Sequence, residues 1–250
     1  MRSRAGGLAL VLLLLGSSCR GARDPETLTV FAAASLTDAF TRIAADFEGE
    51  HPTVQVRLSF GPSDGLATQI QEGAPAEVFA SASPTWMDAV AEDPGISDRA
   101  VFARNLLIVI TPADDPATIG SVEDLAKPGV KLVLAAAGVP AGSYARDMLT
   151  NAGVAHEALA NVVSNEDDVK GVVQKVSLGE ADAGIVYRTD VTADLEGAVR
   201  TVTVPDPINV VATYPIGVVA GSGSELAGRF VAYVVGPGQP VLEAAGFLPP

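Results

Sequence analysis

The sequence predicts an α/β protein of two lobes, each a parallel sheet covered by helices. Three observations carry that prediction. From residue 28 onward, short apolar runs alternate with segments of helical period, in the order β-α-β-α-β. Two longer apolar runs, "FARNLLIVITP" (102–112) and "INVVATYPIGVVAG" (208–221), bracket a second series of the same kind. A chain of 250 residues, 48% hydrophobic and 18% charged, is long and apolar enough for one large domain or two small ones. The chain is expected to cross over, return and finish on the first lobe. That assigns 28–107 and 213–250 to lobe one and 108–212 to lobe two, with hinges at 105–110 and 209–216.

The elements follow in order. "LTVFAA" (28–33) reads as a buried strand and passes directly into "SLTDAFTRIAADFEGE" (35–50), where Leu36, Ala39, Phe40, Ile43, Ala44 and Phe47 share one helical stripe. "VQVRLSF" (54–60) alternates like a half-buried strand, and "SDGLATQIQEG" (63–73) is a helix stopped by Gly73. "EVFASA" (77–82) is a strand, and "SPTWMDAVAE" (83–92) a helix with Pro84 in its first turn. The second series predicts helix 121–127, strand 131–136, helix 140–153, strand 159–165, helix 166–180 and strand 182–187, then a strand near 198–204. "SELAGRFVAYVVG" (224–236) is a C-terminal helix, and "GQPVLEAAGF" (238–247) closes the chain.

Residues 1–19 stand outside this pattern. Arg2 and Arg4 precede the apolar run "GLALVLLLLG" (7–16), which is too short to span a bilayer and reads as an export signal. Cys19, the only cysteine, ends that segment. An intrachain disulfide and a thiolate metal cluster are therefore both excluded. Its place after the apolar run resembles that of the lipidation cysteine of bacterial lipoproteins, although Gly16 stands where the usual lipobox has Leu, Val or Ala; the alternative is a spacer cysteine in a conventionally cleaved signal peptide. Residues 20–27 then form a polar tether. The formal charge of −14 argues against a nucleic-acid partner.

Enzymatic signatures are missing from the sequence. His51 and His156 lie in no metal-ligand spacing, and the chain has no nucleophile elbow, phosphate loop or dinucleotide fingerprint. Four helix starts carry a different signal: "AAASLTDAF", "FGPSDGLA", "GVPAGSYA" and "NEDDVKGVV". Free N–H groups in a helix's first turn, at the positive end of its dipole, form an anion site without any basic side chain.

The ordered set "VFAAASLTDAF" (30–40), "GAPAEVFASAS…WMD" (73–88), "VPAGSYARDML" (139–149) and "GEADAGIVYRTDV" (179–191) resembles the molybdate-binding proteins of bacterial ABC importers. The resemblance covers residues 28–247 and implies a type II periplasmic-binding-protein fold, two lobes closing over an oxyanion. It implies ligand contacts at Ser35 and Ser63 through hydroxyl groups, at Ala141 and Val169 through backbone N–H, and at Tyr187 through its phenol. It further implies an ABC permease and its ATPase as partners, an extracytoplasmic location with a lipid anchor at Cys19, a monomer, and no resident cofactor or catalytic step. Pro62 and Asp64 depart from the family's small residues around the binding serine: Pro62 offers no N–H, and Asp64 is expected to face outward in the helix's first turn.

Those five positions supply only neutral donors, which suits a fully deprotonated tetrahedral dianion. Phosphate carries a proton at neutral pH and would leave it unmatched, at a cost of roughly 1–3 kcal/mol. Tungstate has nearly the size and charge of molybdate and is expected to bind as well. The alternatives are a receptor for another tetrahedral anion such as sulfate, an exported enzyme using the same cleft, or a sensor or adhesion module.

Overall fold

The computed structural model describes residues 25–222 and 224–250. The export signal, Cys19 and residues 20–24 of the tether lie outside the described residues. The first series runs β1 (Glu26–Ala33), α1 (Thr37–Glu50), β2 (Val54–Gly61), α2 (Ser63–Gln71), β3 (Val78–Ala80) and α3 (Pro84–Glu92). After it comes β4 (Ile96–Pro112), which starts six residues earlier than the apolar run suggested. The second series is β5 (Leu132–Ala135), α4 (Pro140–Asn151), α5 (Ala155–Ala160), β6 (Val162–Glu166), α6 (Val169–Ser177) and β7 (Ala183–Tyr187). The chain closes with β8 (Val199–Thr203), β9 (Val211–Val219), α7 (Glu225–Val235) and α8 (Gln239–Ala244).

Three local readings change. The segment at 121–127 forms only a 3-10 turn, Glu123–Ala126, too short to bury more than Leu125. The strand expected from 159 begins at Val162, because Leu159 and Ala160 complete α5. The first long helix does not start on Ser35: Ala34–Leu36 form a 3-10 turn, and α1 begins at Thr37.

The strands follow the order β2-β1-β3-β9-β4-β7-β5-β6, with β8 also paired to β4. β1, β2 and β3 are mutually parallel, as are β5, β6 and β7. β4 pairs antiparallel with both β9 and β7 and so belongs to both halves. The last four residues of β1 and all of β5 and β7 are buried, as expected of parallel strands covered on both faces. α1 turns Ala39, Phe40, Ile43, Ala44 and Phe47 inward, and Phe47 meets Phe230 of α7 edge-on at 5.2 Å.

β4 changes partners within one step, pairing with β9 through Leu106 and with β7 from Leu107. Side chains fill the gap in the ladder on the β9 side. Asn209 Oδ1 accepts Leu107 N–H at 3.1 Å and its Nδ2 donates to the Leu107 carbonyl at 3.0 Å, a carboxamide standing in for one residue of strand. Asn105 Oδ1 accepts Leu106 N–H at 3.0 Å, and its Nδ2 donates to Thr189 Oγ1 at 2.8 Å. Buried backbone groups must be paired somewhere, and here two asparagines pair them. Replacing Asn209 with alanine leaves a buried N–H and a buried C=O without partners. A loss of about 1–3 kcal/mol is expected, read from the urea midpoint of Asn209→Ala against the unmodified protein.

Candidate functional site

One small cavity lies between the two halves of the sheet. Its walls are Ala33, Ala34 and Ser35 after β1; Gly61, Pro62 and Ser63 between β2 and α2; Ala82; Val139, Pro140 and Ala141 at the start of α4; Asp168 and Val169 at the start of α6; and Tyr187 at the end of β7. All five positions singled out in the sequence therefore line the same space. Its volume is about 20 Å³, too little for an organic substrate of ordinary size.

The donors can be counted from the elements upward. At a helix start the first N–H groups have no intrahelical acceptor. In α2 they belong to Ser63 and the residues after it, since Pro62 is the N-cap and carries no N–H. In α4 Pro140 occupies the first position, so Ala141 supplies the first available N–H. α4 approaches the end of β5 so closely that a Cβ on Gly142 would lie 2.1 Å from the Ala136 carbonyl oxygen; only glycine permits this placement. In α6 the Asp168 carboxylate caps the helix, accepting Gly171 N–H at 3.0 Å, which leaves the Val169 N–H free.

The hydroxyl groups are fixed from behind. Ser63 is buried, and its Oγ accepts the Ala82 N–H at 3.0 Å, so its own proton is available to a ligand. Ser35 Oγ lies 3.0 Å from Tyr214 Oη. Tyr187 is 1% exposed and its Oη is a buried oxygen with no hydrogen-bond partner among the described residues. Burial pushes the Tyr187 phenol well above its ordinary value, so it remains a neutral donor at any physiological pH.

No lysine, arginine or histidine lines the cavity among the described residues. Arg146 on α4 is turned away, its guanidinium donating to the carbonyls of Ala135 and Gly142 at 2.9 and 2.7 Å and to Asn165 Oδ1 at 2.6 Å. Nor do the described residues hold any group of three side chains able to ligate a metal ion.

Asp64 departs from expectation. It does sit in the first turn of α2, but it is only partly exposed, with Oδ1 buried and without a hydrogen-bond partner among the described residues. Its Oδ2 lies 3.3 Å from where a Cβ on Gly138 would sit, so it faces the opposing half rather than solvent. Contact between the halves overrides the outward preference of a first-turn acid. Two further contacts join the halves around the cavity: Trp86 Nε1 donates to the Gly138 carbonyl at 3.0 Å, and Lys170 pairs with Asp38 at 3.3 Å.

Sequence reasoning missed Tyr214, Asp190 and Trp86. Tyr214 carries a hydroxyl inside a long apolar run, and a buried phenol needs a partner; that was the available signal. Asp190 follows Tyr187 by three residues, and its Oδ2 accepts the Tyr187 N–H at 2.9 Å while Oδ1 has no partner among the described residues.

A family model described as bacterial extracellular solute-binding protein matches residues 28–248. The molybdate-binding protein ModA of Mycobacterium tuberculosis (strain H37Rv) is 36% identical over 98% of this chain and 97% of its own. The ModA protein of Escherichia coli K12 is 35% identical over 92% of this chain and 91% of its own. Among solved structures, the periplasmic molybdate-binding protein of Azotobacter vinelandii superposes with a TM-score of 0.78 at 22% identity, over 89% of this chain and 99% of that one, a likeness of fold.

Burial raises the Asp190 carboxyl to about 7, against the opposing influence of Lys170 and the Tyr187 N–H. Because the folded value lies above the ordinary one, the native state keeps a proton that the unfolded chain releases. This group's contribution to stability therefore falls as pH rises from about 4 to about 7 and is level above that. Asp190→Asn should remove that slope. Melting temperatures of the variant and the unmodified protein, compared at intervals from pH 4 to pH 8, should diverge in the variant's favour as pH rises.

Proposed function

Because the chain belongs to the bacterial extracellular solute-binding proteins, we propose that it is the extracytoplasmic receptor of a molybdate importer. The observation that carries the reading is the cavity itself: neutral donors from both halves, no basic side chain, one carboxylate (Asp168) held as the cap of α6, and room only for a ligand of a few atoms. Ser35 and Ser63 come from one half and Ala141, Val169 and Tyr187 from the other, so closure of the halves completes the donor set. The protein binds, carries and releases; no catalytic step is involved. It docks on an ABC permease powered by an ATPase, acts as a monomer, and is held at the outer face of the cytoplasmic membrane by a lipid on Cys19.

Selectivity follows from protons and size. A tetrahedral dianion accepts at every oxygen and is matched by the donors of Ser35, Ser63, Ala141, Val169 and Tyr187. Hydrogen phosphate brings a proton that the five donor positions leave unmatched. Sulfate has the charge but shorter bonds, so its oxygens fall short of some donors. Tungstate matches in both respects and binds too.

Isothermal titration of the purified protein at neutral pH should show one-to-one binding of molybdate and tungstate, with sulfate and phosphate far weaker. Silence from all four anions would overturn the reading. Ser35→Ala and Tyr187→Phe each remove one hydrogen bond to a charged ligand and should weaken molybdate binding about ten- to a hundredfold.

Trp86 is the only tryptophan and bridges the halves. Its emission should change on adding molybdate with the midpoint found by calorimetry. Loss of the indole donor in Trp86→Phe should cost about threefold in affinity.

A further inference from the structure

Tyr214 stands on β9, which pairs with strands of lobe one on both sides, and it is fully buried. Its ring meets Tyr187 at 5.8 Å, Phe102 at 6.2 Å and Phe247 at 5.4 Å, each edge-on. Its hydroxyl lies 3.0 Å from Ser35 Oγ. Tyr214 thus touches a cavity residue from each half while lining none of the cavity itself.

A serine hydroxyl has one proton to give and can also accept; a phenol likewise has one proton. If Ser35 gave its proton to Tyr214, it would turn lone pairs toward an anion. If Tyr214 gives its proton to Ser35, the serine's own proton is released toward the cavity. Burial raises the Tyr214 phenol above its ordinary value, so the group stays protonated and able to donate. The same choice is made at Ser63, where a backbone N–H, which can only donate, leaves the serine no other role than to send its proton outward.

We propose that Tyr214 is a positioning residue for oxyanion binding: its hydroxyl donates to Ser35 Oγ and thereby commits Ser35 as a donor to the ligand, while its ring holds Tyr187 in place. Ser63 and Ser35 are then prepared alike, one by the main chain and the other by a phenol. The inference rests on the molybdate-receptor reading and extends it to a residue that touches no ligand.

The test is a double-mutant cycle read by molybdate titration of the unmodified protein, Tyr214→Phe, Ser35→Ala and the double variant, each with its melting temperature. Tyr214→Phe keeps the ring and its packing, so its melting transition should remain cooperative. Molybdate affinity should fall roughly five- to tenfold in Tyr214→Phe. In the Ser35→Ala background the same change should cost less than about twofold, because the group through which Tyr214 acts is gone. A merely structural role would lower affinity equally in both backgrounds, and that result overturns the proposal. So does a Tyr214→Phe variant that binds as tightly as the unmodified protein. Failure of the unmodified protein to bind molybdate would instead overturn the receptor reading, and this inference with it.

Discussion

Taking an anion out of water without a cation beside it leaves its charge to be met by dipoles, and the elements around the cavity are arranged to meet it. Each parallel strand that reaches the cleft ends at the start of a helix or of a 3-10 turn, and each start brings N–H groups that the helix cannot use. The arrangement needs close approach, which is why Gly142 sits against the carbonyls at the end of β5 and why Ala33, Ala34, Ala82 and Ala141 form so much of the wall. It also needs rigidity, since a dipole contributes only when it is already aimed.

That aim is secured from behind the wall. Ser63 rests on a main-chain N–H, Ser35 on a phenol, and Tyr187 on the backbone bond to Asp190. The one guanidinium near the site is turned away, Arg146 being spent on carbonyls, and the one carboxylate in the wall, Asp168, is held as the cap of α6. Asp64, Trp86, Lys170 and Asp38 instead work at the rim, where the halves meet.

Much of this was legible in the residues because strand-to-helix junctions leave local marks. "AAASLTDAF" and "VPAGSYA" announce a strand end, a turn and a helix start within a few positions, and such junctions in a parallel sheet face one way. Those marks located the junctions; the resemblance to molybdate-binding proteins is what singled out Ser35, Ser63, Ala141, Val169 and Tyr187 on them, and all five line one cavity. What stayed hidden depends on contacts between distant segments. Tyr214 is 179 residues from Ser35, Trp86 is 52 from Gly138, and Asn209 is 102 from Leu107. Asp64 was misjudged for the same reason: its helix favours an outward acid, but the opposing half covers it. The 3-10 turn at Glu123–Ala126 shows the reverse limit, a helical pattern too short to propagate.

The strand order also governs when each half can be finished. β9 lies between β3 and β4, although 98 residues separate the end of β4 from the start of β9. The first half emerges early from the ribosome yet lacks an internal strand, the one joining β3 to β4, until residue 219 has been made. The second half draws its core strands from a continuous stretch, 107–203, and can close earlier. The chain is thus made in one order and completed in another, with its N-terminal half the last to lock. Until β9 is inserted between β3 and β4, the faces of the first sheet cannot be closed, and the half made first stays open longest.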